Sequence, residues 1–152
     1  MNSLTLISTG SDKTEQIAQL IGAHLRGGEI IELVSDLGGG KTTFTRGLAA
    51  GAASSDVVAS PTFTVSKIYK TEKFEIHHFD FYRLGEAGLA AHELHDLLDD
   101  PSVVIVVEWG GIVEHVLPAN RVTITIERTG ENSRTITITY DDSLEYLVED
   151  LC

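Results

Sequence analysis

One stretch constrains this chain more than any other: Ile30-Ile31-Glu32-Leu33-Val34, then Ser35-Asp36-Leu37-Gly38-Gly39-Gly40-Lys41-Thr42-Thr43. Glu29 to Val34 predicts a strand, Ser35 to Gly40 a glycine-rich turn, and Lys41 to Ala50 a helix closed by Gly51. Strand, glycine loop and helix in that order make a phosphate-binding loop. Glycines let successive backbone N–H groups turn inward around phosphate oxygens. A lysine reaches the β and γ phosphates, and the next hydroxyl ligates Mg²⁺. The consensus G-x-x-x-x-G-K-[ST] is met at Gly40, Lys41 and Thr42, while Ser35 stands at its first position. The set Leu37, Gly38, Gly39, Gly40, Lys41, Thr42 and Thr43 is therefore expected to bind nucleotide, against the alternative of an ordinary β-α connection with a surface lysine.

Phosphate-binding loops of this kind share their metal with an acid at the end of a neighbouring apolar strand. Two acids compete for the role. Glu108 follows Val103-Val104-Ile105-Val106-Val107, which shows no alternation and predicts a strand buried on both faces. Asp80 follows the poorer run Ile76-His77-His78-Phe79. Glu108 is expected on Mg²⁺ with Thr42, and Asp80 on the metal's water shell or the attacking water; the division between them stays open. Ser60-Pro61-Thr62-Phe63 reads either as a switch loop, with Thr62 near the γ-phosphate, or as a plain turn before a strand. Arg83 stands at a strand end and Trp109 directly after Glu108, each with a packing or surface role as the alternative. His92 and His95 share a helix face, but no cysteine or third histidine completes a zinc set, so they read as solvated side chains. His77 and His78 point to opposite sheet faces.

Around these motifs, Leu4, Leu6 and Ile7 predict a strand. A helix starts at Ser11, with Ser11 as its cap, carries Ile17, Leu20, Ile21 and Leu25, and ends at Gly27-Gly28. Val57 to Ala59 suggests a short strand, Thr62 to Tyr69 and Phe74 to Arg83 a hairpin tipped by Lys70 to Lys73, and Gly85 to Leu98 a helix. A short helix at Gly111 to Leu117 leads to a second hairpin, Arg121 to Glu127 with Arg134 to Tyr140, around Thr129-Gly130-Glu131-Asn132. An acidic amphipathic tail puts Leu144, Leu147, Val148 and Leu151 on one side. Helices alternating with strands predict a three-layer α/β fold of the P-loop NTPase kind, with a mostly parallel central sheet and an antiparallel part. At 152 residues a single domain is expected.

Composition narrows the function. Eleven basic and 23 acidic side chains leave a net charge of −12, which argues against tight direct binding to nucleic acid. The charge is uneven. Residues 1–70 carry six basic and six acidic groups, whereas 71–152 carry five and seventeen. From Leu37 to Lys73 the balance is locally cationic, where the phosphate site is expected. The longest apolar run, Val103 to Val107, is far short of the ~20 residues a membrane span needs, and the N-terminal residues show no basic region followed by an apolar stretch. A cytoplasmic protein is expected, and Cys152, the single cysteine, reads as inert.

Leu37 to Gly47, Ser60 to Phe63, His78-Phe79-Asp80-Phe81-Tyr82-Arg83 and Glu108-Trp109, taken in order, resemble the bacterial TsaE (YjeE) family over roughly Ser8 to Pro118. The resemblance implies a small P-loop ATPase needed to make the N6-threonylcarbamoyladenosine base of tRNAs that read codons beginning with A. It further implies that the protein binds TsaB and TsaD, supports their turnover by ATP hydrolysis, and meets tRNA only indirectly. By resemblance Lys41 and Thr42 take phosphates and Mg²⁺, Glu108 is a metal ligand, Asp80 and Thr62 serve hydrolysis or switching, and Trp109 borders the site. Family loops usually begin with glycine where this chain has Ser35, and commonly have alanine at Gly39.

Three other readings compete. A small-molecule kinase of this fold would carry an arginine-bearing lid, and the six arginines here are scattered. A GTP switch would carry Asn-Lys-x-Asp, which does not occur, making ATP the better expectation. A module that senses nucleotide without hydrolysing it is the third.

Overall fold

Val103–Glu108 is buried along its whole length, and the sheet is built around such strands. The computed structural model describes residues 1–35, 40–59, 66–81, 88–109 and 114–151. In chain order its elements are β1 (Asn2–Ser8), α1 (Ser11–Gly22), β2 (Ile30–Val34), α2 (Lys41–Gly51), β3 (Ser66–Lys70), β4 (Glu75–Asp80), α3 (Gly88–Leu97), β5 (Val103–Glu108), β6 (Val122–Arg128), β7 (Arg134–Tyr140) and a C-terminal 3-10 helix (Asp142–Leu151). The strands form one seven-stranded sheet in the order β1-β7-β6-β2-β5-β4-β3. The central strands β6, β2, β5 and β4 run parallel, and antiparallel pairs close the sheet on either side, β6-β7-β1 and β4-β3.

Side chains alternate between the two faces of each strand. Val104 and Val106 pack in one apolar cluster with Ile21, Phe44 and Leu48 of α1 and α2, whereas Val103, Ile105 and Val107 pack in a second with Leu94 of α3. Helices therefore cover both faces, and the expected three-layer α/β arrangement is present. The same parity assigns the polar residues of the neighbouring strands. On β4, Ile76 belongs to the α1-α2 cluster and Phe79 to the α3 cluster. His78 and Asp80 share the Ile76 face, Glu108 shares that of Val106, and His77 lies opposite.

Glycines bring α1 and α2 together at backbone distance. A Cβ on Gly22 would stand 2.2 Å from the Leu48 carbonyl oxygen, and one on Gly47 2.4 Å from that of Glu15. Below the helices, buried Glu29 accepts from the Arg26 and Gly27 N–H groups at 2.8 Å and from the Tyr146 hydroxyl at 2.6 Å. These bonds tie the end of the α1 segment, the start of β2 and the C-terminal helix into one corner. Burial and the Glu29 bond raise the Tyr146 phenol above its usual pKa, which keeps it a donor.

Several local expectations change. Ser11 is the first helical residue of α1 and not its cap; Gly10 occupies the cap position without a side-chain bond. Ser8 instead organises the start, bonding Thr14 Oγ1 at 2.6 Å and the Gly10 carbonyl at 2.8 Å. The helix stops at Gly22 and not at Gly27-Gly28, because bonds from His24 N to Ile21 O and Leu25 N to Gly22 O tighten its end into a turn. Leu20 is 40% exposed and does not join the apolar face. Val57 to Ala59 forms no strand, since it has no ladder partner, and Val57 is exposed. Of the expected helix at Gly111 to Leu117, residues 111–113 lie outside the described region and 114–117 form turns. The tail is a 3-10 helix burying Leu144, Leu147 and Val148 against α1.

Gly22→Ala and Gly47→Ala are each expected to destabilise the fold by about 1–3 kcal/mol, because backbone and not a flexible side chain opposes the added methyl. Gly10→Ala, with nothing within 4 Å of the new Cβ, is expected to cost less, about 0.5–1 kcal/mol, from the poorer fit of alanine at the cap position alone. Urea unfolding of the three variants checks both statements.

Candidate functional site

The start of α2 is shaped for an anion. Gly40 caps it at φ 108° and ψ 15°, a backbone conformation L side chains rarely adopt. The first intrahelical bond runs from Phe44 N to the Gly40 carbonyl at 2.9 Å, so the N–H groups of Lys41, Thr42 and Thr43 have no acceptor within the helix. No acid lies in the first turn of the helix, so none within that turn offsets the positive end of its dipole. Lys41 is only 7% exposed. Its ammonium donates to the Ser35 carbonyl at 3.1 Å and sits 4.6 Å from the centre of the Trp109 ring. Ser35 thus contributes a backbone oxygen that any residue would supply. It is not among the described non-glycine residues with positive φ, which explains why this first loop position does not require glycine.

Register joins the two acids. Leu33 of β2 pairs with Glu108 of β5, and Glu108 with Asp80 of β4. The three residues form one row at the carboxyl ends of three parallel strands, where ligands of open α/β sheets bind. Glu108 is 2% exposed. It meets a buried chain of polar groups: Glu108 Oε2 lies 2.5 Å from His78 Nε2, and His78 Nδ1 lies 3.0 Å from the Tyr69 hydroxyl. Tyr69 donates to the Ala59 carbonyl at 2.9 Å. The single phenol proton goes to that carbonyl, which leaves Tyr69 Oη as an acceptor facing His78 Nδ1. Burial and the adjacent Glu108 charge raise the phenol's pKa, holding Tyr69 in its donor form.

Trp109 follows at φ 60°. A bulky residue in the left-handed region costs about 1–2 kcal/mol, and such strain concentrates at functional sites. Here it turns the chain immediately beyond Glu108, with the indole against the Lys41 ammonium.

A cavity of about 220 Å³ opens beside the same helix start, lined by Gly10, Ser11, Thr14, Gly40, Thr43, Asn132 and Arg134. Sequence reading missed Ser11, Thr14, Asn132 and Arg134 as site residues. Only the antiparallel pairing of Ser8 with Arg134 brings the β6-β7 tip beside the start of α1, and no local pattern announces it.

Gly40, Lys41, Thr42, Thr43, Asp80, Glu108 and Trp109 are thus placed around the carboxyl ends of β2, β5 and β4. Leu37, Gly38, Gly39, Thr62, Arg83 and Cys152 lie outside the described residues. His92 pairs with Asp96 one turn on, at 3.6 Å, with both side chains exposed. Arg121 is bound to Glu32, Glu114 and the Pro118 carbonyl. Among the described residues no three His, Cys, Asp or Glu side chains gather into a metal cage. Mg²⁺ needs none, since one or two carboxylates with substrate phosphates suffice. The oxygen donors Thr42, Asp80 and Glu108 fit such an ion.

Gly40→Ala is expected to lower stability by about 1–2 kcal/mol through its backbone conformation alone, since nothing lies within 4 Å of the added Cβ. Gly130→Ala, which has only ordinary contacts at the β6-β7 tip, serves as the neutral comparison in the same thermal unfolding experiment.

Comparison with known proteins identifies the family. Residues 8–136 match the family model described as threonylcarbamoyl adenosine biosynthesis protein TsaE. A Bacillus subtilis protein named tRNA threonylcarbamoyladenosine biosynthesis protein TsaE is 37% identical, covering 99% of this chain and 95% of its own. Proteins of the same name from Streptomyces coelicolor and Rickettsia felis are 37% and 31% identical, over 82% and 95% of this chain and 88% and 84% of theirs. The crystal structure of Bacillus subtilis YdiB superposes with a TM-score of 0.80 at 33% identity, covering 99% of this chain and 94% of that one. The chain belongs to the TsaE family.

Proposed function

We propose that this chain is a partner-dependent P-loop ATPase, hydrolysing ATP to ADP and phosphate in support of N6-threonylcarbamoyladenosine formation on tRNA. The observation that carries the reading is the convergence of an anion-ready helix start, a buried lysine and two register-paired carboxylates at one sheet edge. The names of its relatives place them in that biosynthesis. No helix among the described residues is long and apolar enough to cross a membrane, in keeping with a cytoplasmic role.

On this reading the N–H groups of residues 40–43 and the Lys41 ammonium hold the triphosphate. Lys41 exchanges the Ser35 carbonyl and Trp109 ring for phosphate oxygens. Mg²⁺, when bound, offsets charge on the phosphates, and Thr42 with Glu108 would hold it. Asp80 orients the attacking water, and Thr62 reports the γ-phosphate to its loop. The cavity at Ser11, Asn132 and Arg134 takes the nucleoside. Catalysis in such a site is mostly positioning and charge stabilisation, so turnover is slow until a partner completes it. TsaB and TsaD are the partners proposed, facing the acidic second half of the chain, and tRNA is reached through them.

Lys41→Ala is expected to abolish ATP binding. Asp80→Ala and Glu108→Ala are expected to retain nucleotide but lose about 10²-fold or more in hydrolysis, measured with the partner proteins present. Absence of wild-type hydrolysis under those conditions would leave the chain a nucleotide-sensing module. Asn132→Ala is expected to weaken ATP binding about fivefold, near 1 kcal/mol, as read by calorimetry; unchanged affinity would place the nucleoside elsewhere.

A further inference from the structure

The chain Ala59–Tyr69–His78–Glu108 has no part in the phosphate-binding loop, yet it ends on an acid of the site. Tyr69, His78 and Glu108 are 2%, 0% and 2% exposed. Their neighbours on the same sheet face, Ile76, Val104 and Val106, are aliphatic members of the core. A phenol and an imidazole in such surroundings cost desolvation that an Ile or Val would avoid, and each is held in hydrogen bonds on both sides. The rings lie 5.9 Å apart, tilted by 45°.

We propose that His78 is a positioning residue for Glu108, steadied from its other nitrogen by Tyr69, and that Tyr69 ties this arrangement to the backbone at Ala59. The proposal rests on the reading that Glu108 serves Mg²⁺ of a bound nucleotide. A glutamate has three side-chain torsions, and an unrestrained one would sample several carboxylate orientations. Binding Oε2 to His78 removes that freedom and leaves Oε1 as the oxygen not engaged by the imidazole. Outer groups that orient metal-binding carboxylates act in this way. The arrangement spans β3, β4 and β5, and Ala59 directly precedes the Ser60 to Phe63 segment. Movement of the backbone at Ala59 is thereby linked through two side chains to the acid at the end of β5.

The test uses the full chain and four proteins: wild type, His78→Leu, His78→Gln and Tyr69→Phe. Calorimetry measures ATP-analogue binding in EDTA, then the Mg²⁺ concentration needed to saturate the analogue-bound protein, with a non-hydrolysable analogue as the probe. His78→Leu is expected to bind the analogue in EDTA within about twofold of wild type and to need about 10- to 100-fold more Mg²⁺. His78→Gln, whose amide keeps a donor towards Glu108, is expected to recover most of that loss. Tyr69→Phe, which removes one oxygen, is expected to need about three- to tenfold more Mg²⁺.

Wild-type Mg²⁺ dependence in folded His78→Leu and Tyr69→Phe would overturn the proposal. So would a glutamine variant as impaired as the leucine one, because a purely structural role predicts no recovery. Should His78→Leu not fold, Tyr69→Phe decides alone. Failure of the wild type itself to bind the analogue with Mg²⁺ would remove the underlying reading, and the proposal with it.

Discussion

The register of three parallel strands is the constraint on which everything else depends. Leu33, Glu108 and Asp80 occupy one row across β2, β5 and β4. Because side chains alternate, a slip of one residue in β5 would turn Glu108 towards α3 and bury a carboxylate among Phe79, Phe81 and Leu94. The all-aliphatic run of β5 packs against a cluster on each face and would tolerate either parity, so the cost of an unpaired carboxylate on the α3 side closes that alternative. Apolar packing buries the strand, and the position of the charged end fixes which face each residue takes.

The helix layer depends on the same geometry from the other side. Glycines at 22 and 47 let α1 and α2 approach at backbone distance, so the start of α2 is fixed over the carboxyl edge of the sheet. From there Lys41 reaches back to Ser35 at the end of β2 and sideways to Trp109 beyond β5. A lysine buried this far loses water around its ammonium. A carbonyl oxygen and an indole face replace part of that hydration. Triphosphate oxygens, which carry full negative charge, would bind the ammonium more strongly than a carbonyl or an indole face.

Much of this was legible in the sequence where the signal is local. The β2 strand, the glycine loop, the α2 helix and the unbroken run of β5 declare themselves by composition and spacing, and Lys41, Thr42 and Glu108 follow from them. What failed was also local in origin. Gly27-Gly28 looked like a helix stop, but α1 had already closed at Gly22 by tighter turn bonds. The Gly27 and Gly28 positive φ values serve the approach to β2 instead. Ser11 looked like a cap because its chemistry suits one, yet Ser8 and Thr14 form the bond there. The cavity residues Asn132 and Arg134 and the His78–Tyr69 connection were illegible for another reason. The cavity depends on the pairing of β1 with β7, far apart in the chain, and the His78–Tyr69 connection on the register within the expected β3-β4 hairpin; periodicity reveals neither. The family resemblance pointed to His78 as part of a motif without saying what it touches.

The central claim is that α2, Lys41 and the Asp80–Glu108 pair form one triphosphate site. A crystal structure of the chain with Mg²⁺ and a non-hydrolysable ATP analogue tests it most directly. The account predicts phosphates on the N–H groups that open α2, the Lys41 ammonium moved from the Trp109 ring to phosphate oxygens, and the metal within coordination reach of Thr42 and Glu108. Phosphates bound away from α2, or a Lys41 still resting on Trp109 and Ser35 with nucleotide present, would contradict it.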